Sequence, residues 1–374
     1  MPNTNASIHS LVSQYVQPLA SYNAGLSLEE LKKRYNVTKV AKLASNENPF
    51  GTSAAVAKVL NDAGNLAYYP DPNCSELRQL LGQKFNVDPQ TLVFGNGSED
   101  IISVLCRVFL EAGDNVLTIV PSFGLHILYP QSCGANVLIA EMSDTLEFDI
   151  EKIVQQLQTH QPKLFFIASP SNPVGTALSQ AEIETILDAL TDQTLLIFDE
   201  AYYEYAQTDA NYPNVQQILE QSGKPYVLLR TLSKAYSLAG LRIGYGICSE
   251  PSIAGYIDKV RTPFNVNRIA QKAAIAALND ATHIEKTLTW NDQARQTLSE
   301  QLNELGIQPA KSLGNFLFFK TDYPAIELAQ KLLKHGVIVK PWLEAGYEHY
   351  LRVSIGSQDE NEHFLSALKT ILNA

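Results

Sequence analysis

Between residues 90 and 250, seven short runs rich in β-branched and aromatic residues alternate with longer amphipathic stretches. No other feature of the chain restricts its fold as strongly. The runs are TLVF (91–94), NVLTIV (115–120), ANVLIAEM (135–142), KLFFIAS (163–169), TLLIFDE (194–200), PYVLLRT (225–231) and RIGYGIC (242–248). Several are apolar on both faces, as strands covered by helices on each side must be. The pattern predicts an α/β large domain, a mostly parallel seven-stranded sheet covered by helices. Beyond RTPFNVN (261–267) the texture changes to long helical segments and a second set of strands, GNFLFFK, GVIVK and YLRVSIG, which predicts a smaller α+β domain. The expected division is an arm and helix over 1–45 joining the small domain, a large domain over 46–263, and a small domain over 264–374. Within the first segment SLEELKKRYNV reads as a helix capped by Ser27.

A chain of 374 residues, 45% hydrophobic, can bury a substantial core. Its 28 basic and 39 acidic residues give a net charge of −11, which argues against nucleic acid or an anionic membrane as partner. Any anion must therefore be held by local groups. The start of the sequence has no basic segment followed by an apolar run, and no stretch reaches the length of a membrane helix, so a cytoplasmic location is expected. Cys74, Cys106, Cys133 and Cys248 are widely spread and read as reduced structural thiols, with no metal site.

Four local patterns carry chemistry. In FGNGSEDII a strand passes through two glycines to Ser98 and a helix, leaving backbone N–H groups that an anion can approach. The spacing matches neither a dinucleotide fingerprint nor a nucleotide-triphosphate loop. Asp199 ends the apolar run LLIFD, where ligands of open α/β sheets bind, and a carboxylate there would keep a pyridine nitrogen protonated. In SPSNPVG two prolines fix the turn around Asn172, whose amide can donate toward the same crevice. Lys234, in TLSKAYSLAG, would be costly to bury unless its pKa fell or it formed a Schiff base with a carbonyl cofactor. A lysine, a pyridinium partner and a phosphate cradle are what a protein provides to pyridoxal 5'-phosphate.

The ordered set SNPVGT, IFDEAYYEY and TLSKAYSLAGLRIGY resembles the fold-type I pyridoxal phosphate aminotransferases, which have the aspartate aminotransferase-like fold. LASNENPFG, YYPDPNCSELR, FGNGSEDII, PFNVN and YLRVSIGSQDEN make the chain similar to the histidinol-phosphate aminotransferases in particular. The resemblance covers nearly the whole chain. It implies transamination between histidinol phosphate and 2-oxoglutarate, giving imidazole-acetol phosphate and glutamate in histidine biosynthesis, on a homodimer with shared active sites.

Residue by residue, the resemblance implies that Lys234 carries the cofactor and moves protons, that Asp199 pairs with the ring nitrogen, and that Asn172 and Tyr202 hold the phenolic oxygen. Gly97, Ser98, Glu99, Ser233 and Arg242 would bind the phosphate, Phe123 would stack on the ring, and Tyr69 would reach the phosphate of the neighbouring subunit. Tyr22 would fold over the substrate, and Arg352 would clamp the α-carboxylate of glutamate. Lys340 stands where many relatives have an arginine that meets the substrate phosphate, and lysine meets it as a point charge without the planar fork. Glu99-Asp100 inverts the commoner Asp-Glu order. Aromatic amino acid aminotransferases and threonine-phosphate decarboxylase share these cofactor motifs and are the competing expectations.

Overall fold

Along each apolar run successive side chains point to opposite faces of a sheet. Here both faces find helices. In the computed structural model, which describes residues 8–21, 28–61, 64 and 66–373, the strands in chain order begin with β1 (Ala41–Lys42). They continue with β2 (Leu92–Gly95), β3 (Asn115–Val120), β4 (Asn136–Glu141), β5 (Leu164–Ala168), β6 (Leu195–Asp199), β7 (Tyr226–Thr231) and β8 (Gly244–Cys248). These seven form one sheet in the order β2-β8-β7-β6-β5-β3-β4, with β8 alone running against its neighbours. All seven expected runs are strands of this one sheet.

Phe94, Leu117, Phe165, Leu196 and Leu228 enter one apolar cluster, and their sequence neighbours Val93, Val116, Leu164, Ile197 and Val227 enter another on the opposite face. The second cluster is closed by helix α1 (Ser98–Phe109), whose Ile101, Ile102 and Leu105 are fully buried. Edge strand β4 is the exception: it is half-exposed along most of its length.

The carboxyl-terminal strands are β9 (Phe316–Lys320), β10 (Val337–Ile338), β11 (Lys340–Pro341) and β12 (Tyr350–Ser354). β11, β12 and β9 form an antiparallel sheet, while β10 pairs in parallel with β1. Ala41 and Leu43 thereby join a separate apolar core with Leu298, Leu302, Leu351 and Phe364. The helix over Leu28–Tyr35 forms, but its expected cap Ser27 lies outside the described residues, as does Tyr22.

Past residue 263 the chain still contributes to the large cluster. Helix α2 (Arg268–Leu278) packs Ala270, Ala273, Ala274 and Ala277 into the large cluster, and it lies against the helix Ala54–Asn61. Within α3 (Ala281–Glu304), from Ala294 onward, the chain returns to the second core that Ala41 and Leu43 had joined. Helical periodicity marks which face of α2 is apolar but not what that face meets.

At the end of the β2–β8 pair, Gly95 faces Gly244. A Cβ on Gly244 would collide with the backbone of Gly97 and Ser98, so a glycine here lets the start of α1 rest directly on the sheet. Replacing Gly244 by alanine should cost about 1–3 kcal/mol of stability, whereas Gly240→Ala, where a Cβ meets nothing within 4 Å, should change it by less than about 0.5 kcal/mol. Urea unfolding midpoints of the two variants check this; equal losses would remove the steric explanation.

Candidate active site

Asp199 is the last residue of β6 and is only 5% exposed. Its Oδ1 accepts the Ala201 N–H at 3.0 Å, and its Oδ2 lies 3.3 Å from His126 Nε2. The His126 ring is buried, stacked on Phe166 at 5.2 Å and meeting Phe123 edge-on at 5.7 Å. Phe123 was expected here, but His126 was not legible as part of the site, because it comes from a different βα turn than Asp199.

Lys234 follows β7 by three residues, and its Nζ donates to the Ser45 carbonyl at 3.0 Å. Loss of water around the amine pushes its pKa down to about 8, with the Arg352 guanidinium acting in the same direction and Glu47 opposing. The amine lies 5.9 Å from the centre of the Tyr202 ring.

Ser233, the residue before the lysine, accepts a hydrogen bond from Thr231 Oγ1 at 2.9 Å. Arg242 has a positive φ of 58° and reaches back so that its Nη2 lies 3.5 Å from Glu99 Oε2. Gly97 also has positive φ, and a Cβ there would sit 2.6 Å from Arg242 Nη2. The bare glycine, the start of α1 and the guanidinium thus bound one hollow. The two inverted acids part company. Glu99 faces Arg242 and accepts the Tyr129 hydroxyl at 3.0 Å, while Asp100 Oδ2 turns away to accept Asn96 N–H and Asn265 Nδ2 at 3.0 Å each.

These groups line a cavity of about 260 Å³ that collects Gly97, Ser98, Asp199, Ser233, Lys234 and Arg242, together with Phe123, Asn172 and Tyr202. A second chamber of about 490 Å³ adjoins it, sharing Ser45, Phe123, Asn172, Tyr202 and Lys234 and adding Lys340, Trp342, Glu344 and Arg352. Lys340 and Arg352 are register partners across β11 and β12. Burial and the Arg352 charge both depress the Lys340 pKa. Arg352 donates to Asn172 Oδ1 and to the Ala44 carbonyl, both at 2.5 Å, which leaves the Asn172 amide nitrogen as the end able to donate to a ligand. A larger groove of about 620 Å³, between Tyr236 and the start of α3, holds none of the expected site residues.

The segment 44–48 was quoted in the sequence only as part of a resemblance, yet it closes the floor of both spaces. The carbonyls of Ala44, Ser45 and Asn46 accept from Arg352, Lys234 and Asn315. Asn46, at a φ of 53°, donates its amide to the Tyr202 hydroxyl at 2.8 Å. Asparagine tolerates that left-handed backbone better than most residues, the one local signal in the segment, and it went unread.

One expected residue, Tyr69, is not at this site within the chain. Tyr69 is 76% exposed and stacks on Phe264 at 4.5 Å, and Tyr22 lies outside the described residues.

A family model described as aminotransferase class I and II matches residues 38–368. The chain is 42% identical to histidinol-phosphate aminotransferase 3 of Rhizobium meliloti over 96% of its own length and 97% of that protein's. It is 36% identical to the histidinol-phosphate aminotransferase of Anoxybacillus flavithermus, over 96% of each chain. Among solved structures, histidinol-phosphate aminotransferase from Sinorhizobium meliloti in complex with pyridoxal-5'-phosphate superposes with a TM-score of 0.88 at 27% identity, covering 97% of this chain and 98% of that one. A Thermus thermophilus aspartate aminotransferase double mutant shares the fold, with a TM-score of 0.82 at 22% identity, over 96% of this chain and 99% of that one. The chain belongs to the class I and II aminotransferases.

Proposed function

We propose that this chain is a pyridoxal phosphate-dependent histidinol-phosphate aminotransferase, exchanging an amino group between histidinol phosphate and 2-oxoglutarate. The observation that carries the reading is the convergence of a lysine amine with a depressed pKa and a buried carboxylate on one cavity, beside a chamber holding two cations. The cofactor fits the donor set. Gly97 leaves bare a hollow that any Cβ would fill, at the mouth of a helix start and an arginine, which suits a phosphate. When bound, pyridoxal phosphate supplies an aldehyde for the amino group and a ring that withdraws electrons from the substrate α-carbon.

The chain's own groups then have separable tasks. Lys234 Nζ, close enough to neutrality to accept a proton, would take it from the substrate α-carbon and deliver it to the carbon that carries the cofactor's aldehyde. Asp199 would hold positive charge on the pyridine nitrogen, and His126 Nε2 lies 3.3 Å from its Oδ2. The Asn172 amide and the Tyr202 hydroxyl, both lining the cavity, would hold the phenolic oxygen, and Phe123 would cover one ring face. Gly97, Ser98, Ser233 and Arg242 take the phosphate. For Glu99 the side chain orients Arg242 rather than touching the anion, since a carboxylate repels phosphate, and only its backbone N–H remains for binding.

Lys340 and Arg352 receive the anionic groups of the substrates, Arg352 the carboxylate of glutamate, with Tyr22 over the substrate as in the family resemblance. A homodimer completes the site. Tyr69 and its neighbours Leu66, Tyr68 and Phe264 form an exposed apolar patch suited to a second copy, whose cavity would receive the tyrosine. No helix among the described residues is long and apolar enough to cross a membrane. The free thiols suit a reducing compartment, which is the basis for placing the enzyme in the cytoplasm.

Lys234→Ala should abolish both turnover and the visible absorbance of the purified enzyme; a variant that kept either would refute the role given to the amine. Imine formation needs the unprotonated amine, so capture of added pyridoxal phosphate by the cofactor-free protein should quicken as pH rises toward about 8 and level off above it. Stopped-flow absorbance reads this, and a rate that fell over the same range would contradict the depressed pKa. Turnover of histidinol phosphate should exceed that of phenylalanine with 2-oxoglutarate as acceptor. The reverse preference would make the chain an aromatic amino acid aminotransferase.

A further inference from the structure

The substrate-side chamber contains one anionic side chain with no task in the transfer of an amino group, Glu344. It is half-buried three residues beyond β11. Two N–H donors hold its Oε2: the Trp342 indole at 2.6 Å and the Ser122 backbone at 3.1 Å. Its Oε1 has no hydrogen-bond partner among the described residues. Burial raises its pKa, and the two donors counter this by favouring the charged form.

Trp342 links this carboxylate to the cationic end of the chamber. The Arg352 guanidinium lies 5.9 Å from the Trp342 ring centre, while the indole N–H is fixed on Glu344. The chamber therefore presents Lys340 and Arg352, an aromatic wall of Phe123 and Trp342, and an anionic acceptor. An anion-binding chamber gains nothing from a carboxylate unless the ligand also brings a donor. A substrate with a phosphate at one end and a ring bearing N–H groups at the other matches that arrangement. A phenyl side chain would shield Glu344 from water and give it no hydrogen bond.

We propose that Glu344 Oε1 accepts an N–H of the substrate's imidazole ring and so sets a preference for imidazole-bearing over phenyl-bearing amines, a role that rests on the histidinol-phosphate activity proposed above. The rival role is mechanical. Because Glu344 bonds Ser122 across 222 residues of sequence, it would then serve only to latch the β11–β12 connection to the large domain.

The test compares the holoenzyme with Glu344→Ala and Glu344→Gln, the latter keeping a carbonyl for Trp342 and Ser122. Single-turnover absorbance gives kcat/KM for histidinol phosphate and, separately, for glutamate, which has no ring. The proposal expects the ratio of the first to the second to fall about tenfold or more in the alanine variant, and to fall in the glutamine variant too. Equal losses for both amines point to the latch and overturn it. Calorimetry on borohydride-reduced enzyme, which cannot turn over, adds an independent reading. Histidinol phosphate should bind more tightly than O-phosphoethanolamine to the wild type, and that ring-dependent increment should shrink in both variants; an unchanged increment also overturns the proposal. Should the wild type accept glutamate but not histidinol phosphate, the proposed function itself fails and takes this role with it. Turnover of both with an unaltered ratio in the variants removes Glu344 alone.

Discussion

Asp199 and Glu200 are consecutive at the end of one central strand, and a buried carboxylate without a partner is costly enough that each must be answered. Consecutive residues of an extended chain point to opposite sides. On one side Asp199 meets His126 and the cofactor cavity. On the other, Glu200 is fully buried against Arg230, with Nε and Nη2 at 2.9 and 2.8 Å from its Oε2. The Tyr212 hydroxyl stands 2.8 Å from Glu200 Oε1 and 2.9 Å from the Ser169 carbonyl, so its single proton bridges the pair to the turn that carries Asn172. Arg230 in turn lies 3.5 Å from the centre of the Tyr203 ring and 4.6 Å from that of Phe85. One strand end thus anchors two networks. The structural one fixes the backbone on which the chemical one depends.

A second set of contacts ties the two cores together at the cavity. Ser354 Oγ accepts the Asn46 N–H and donates to Asn46 Oδ1, and Asn48 reaches the Ala235 carbonyl and Thr287. Residues 44–48 therefore touch β12, α3 and the loop just after Lys234. Nothing in this segment reacts, yet it sets where Arg352, Lys234 and Tyr202 can sit relative to one another.

Much of this was legible in the sequence because the relevant signals are local. Strand runs, a glycine turn before Ser98, an acid at a strand end and a lysine in a run of small residues each sit within a few positions of the feature that gives them meaning. His126 and Glu344 were not legible for the opposite reason. His126 acquires its role only when one βα turn is laid beside another, and Glu344 only when residues 122 and 344 come together. The destination of the alanine face of α2 was not legible for a related cause, since that face fits either core and only packing decides. The inverted pair Glu99-Asp100 shows a third limit. Sequence identified both acids, but their division between an arginine and a loop depends on side-chain direction.

Helix α3 begins beside the large cluster, where Thr287 bonds Asn48, and ends in the other core with Leu298 and Leu302. Its 24 residues contain neither glycine nor proline, so it is a rod roughly 36 Å long with no built-in point of weakness. Any rocking of the smaller part over the cavity must therefore be levered through the whole rod. A substitution that softened the middle of the rod would uncouple the two ends while leaving every group that touches a ligand in place.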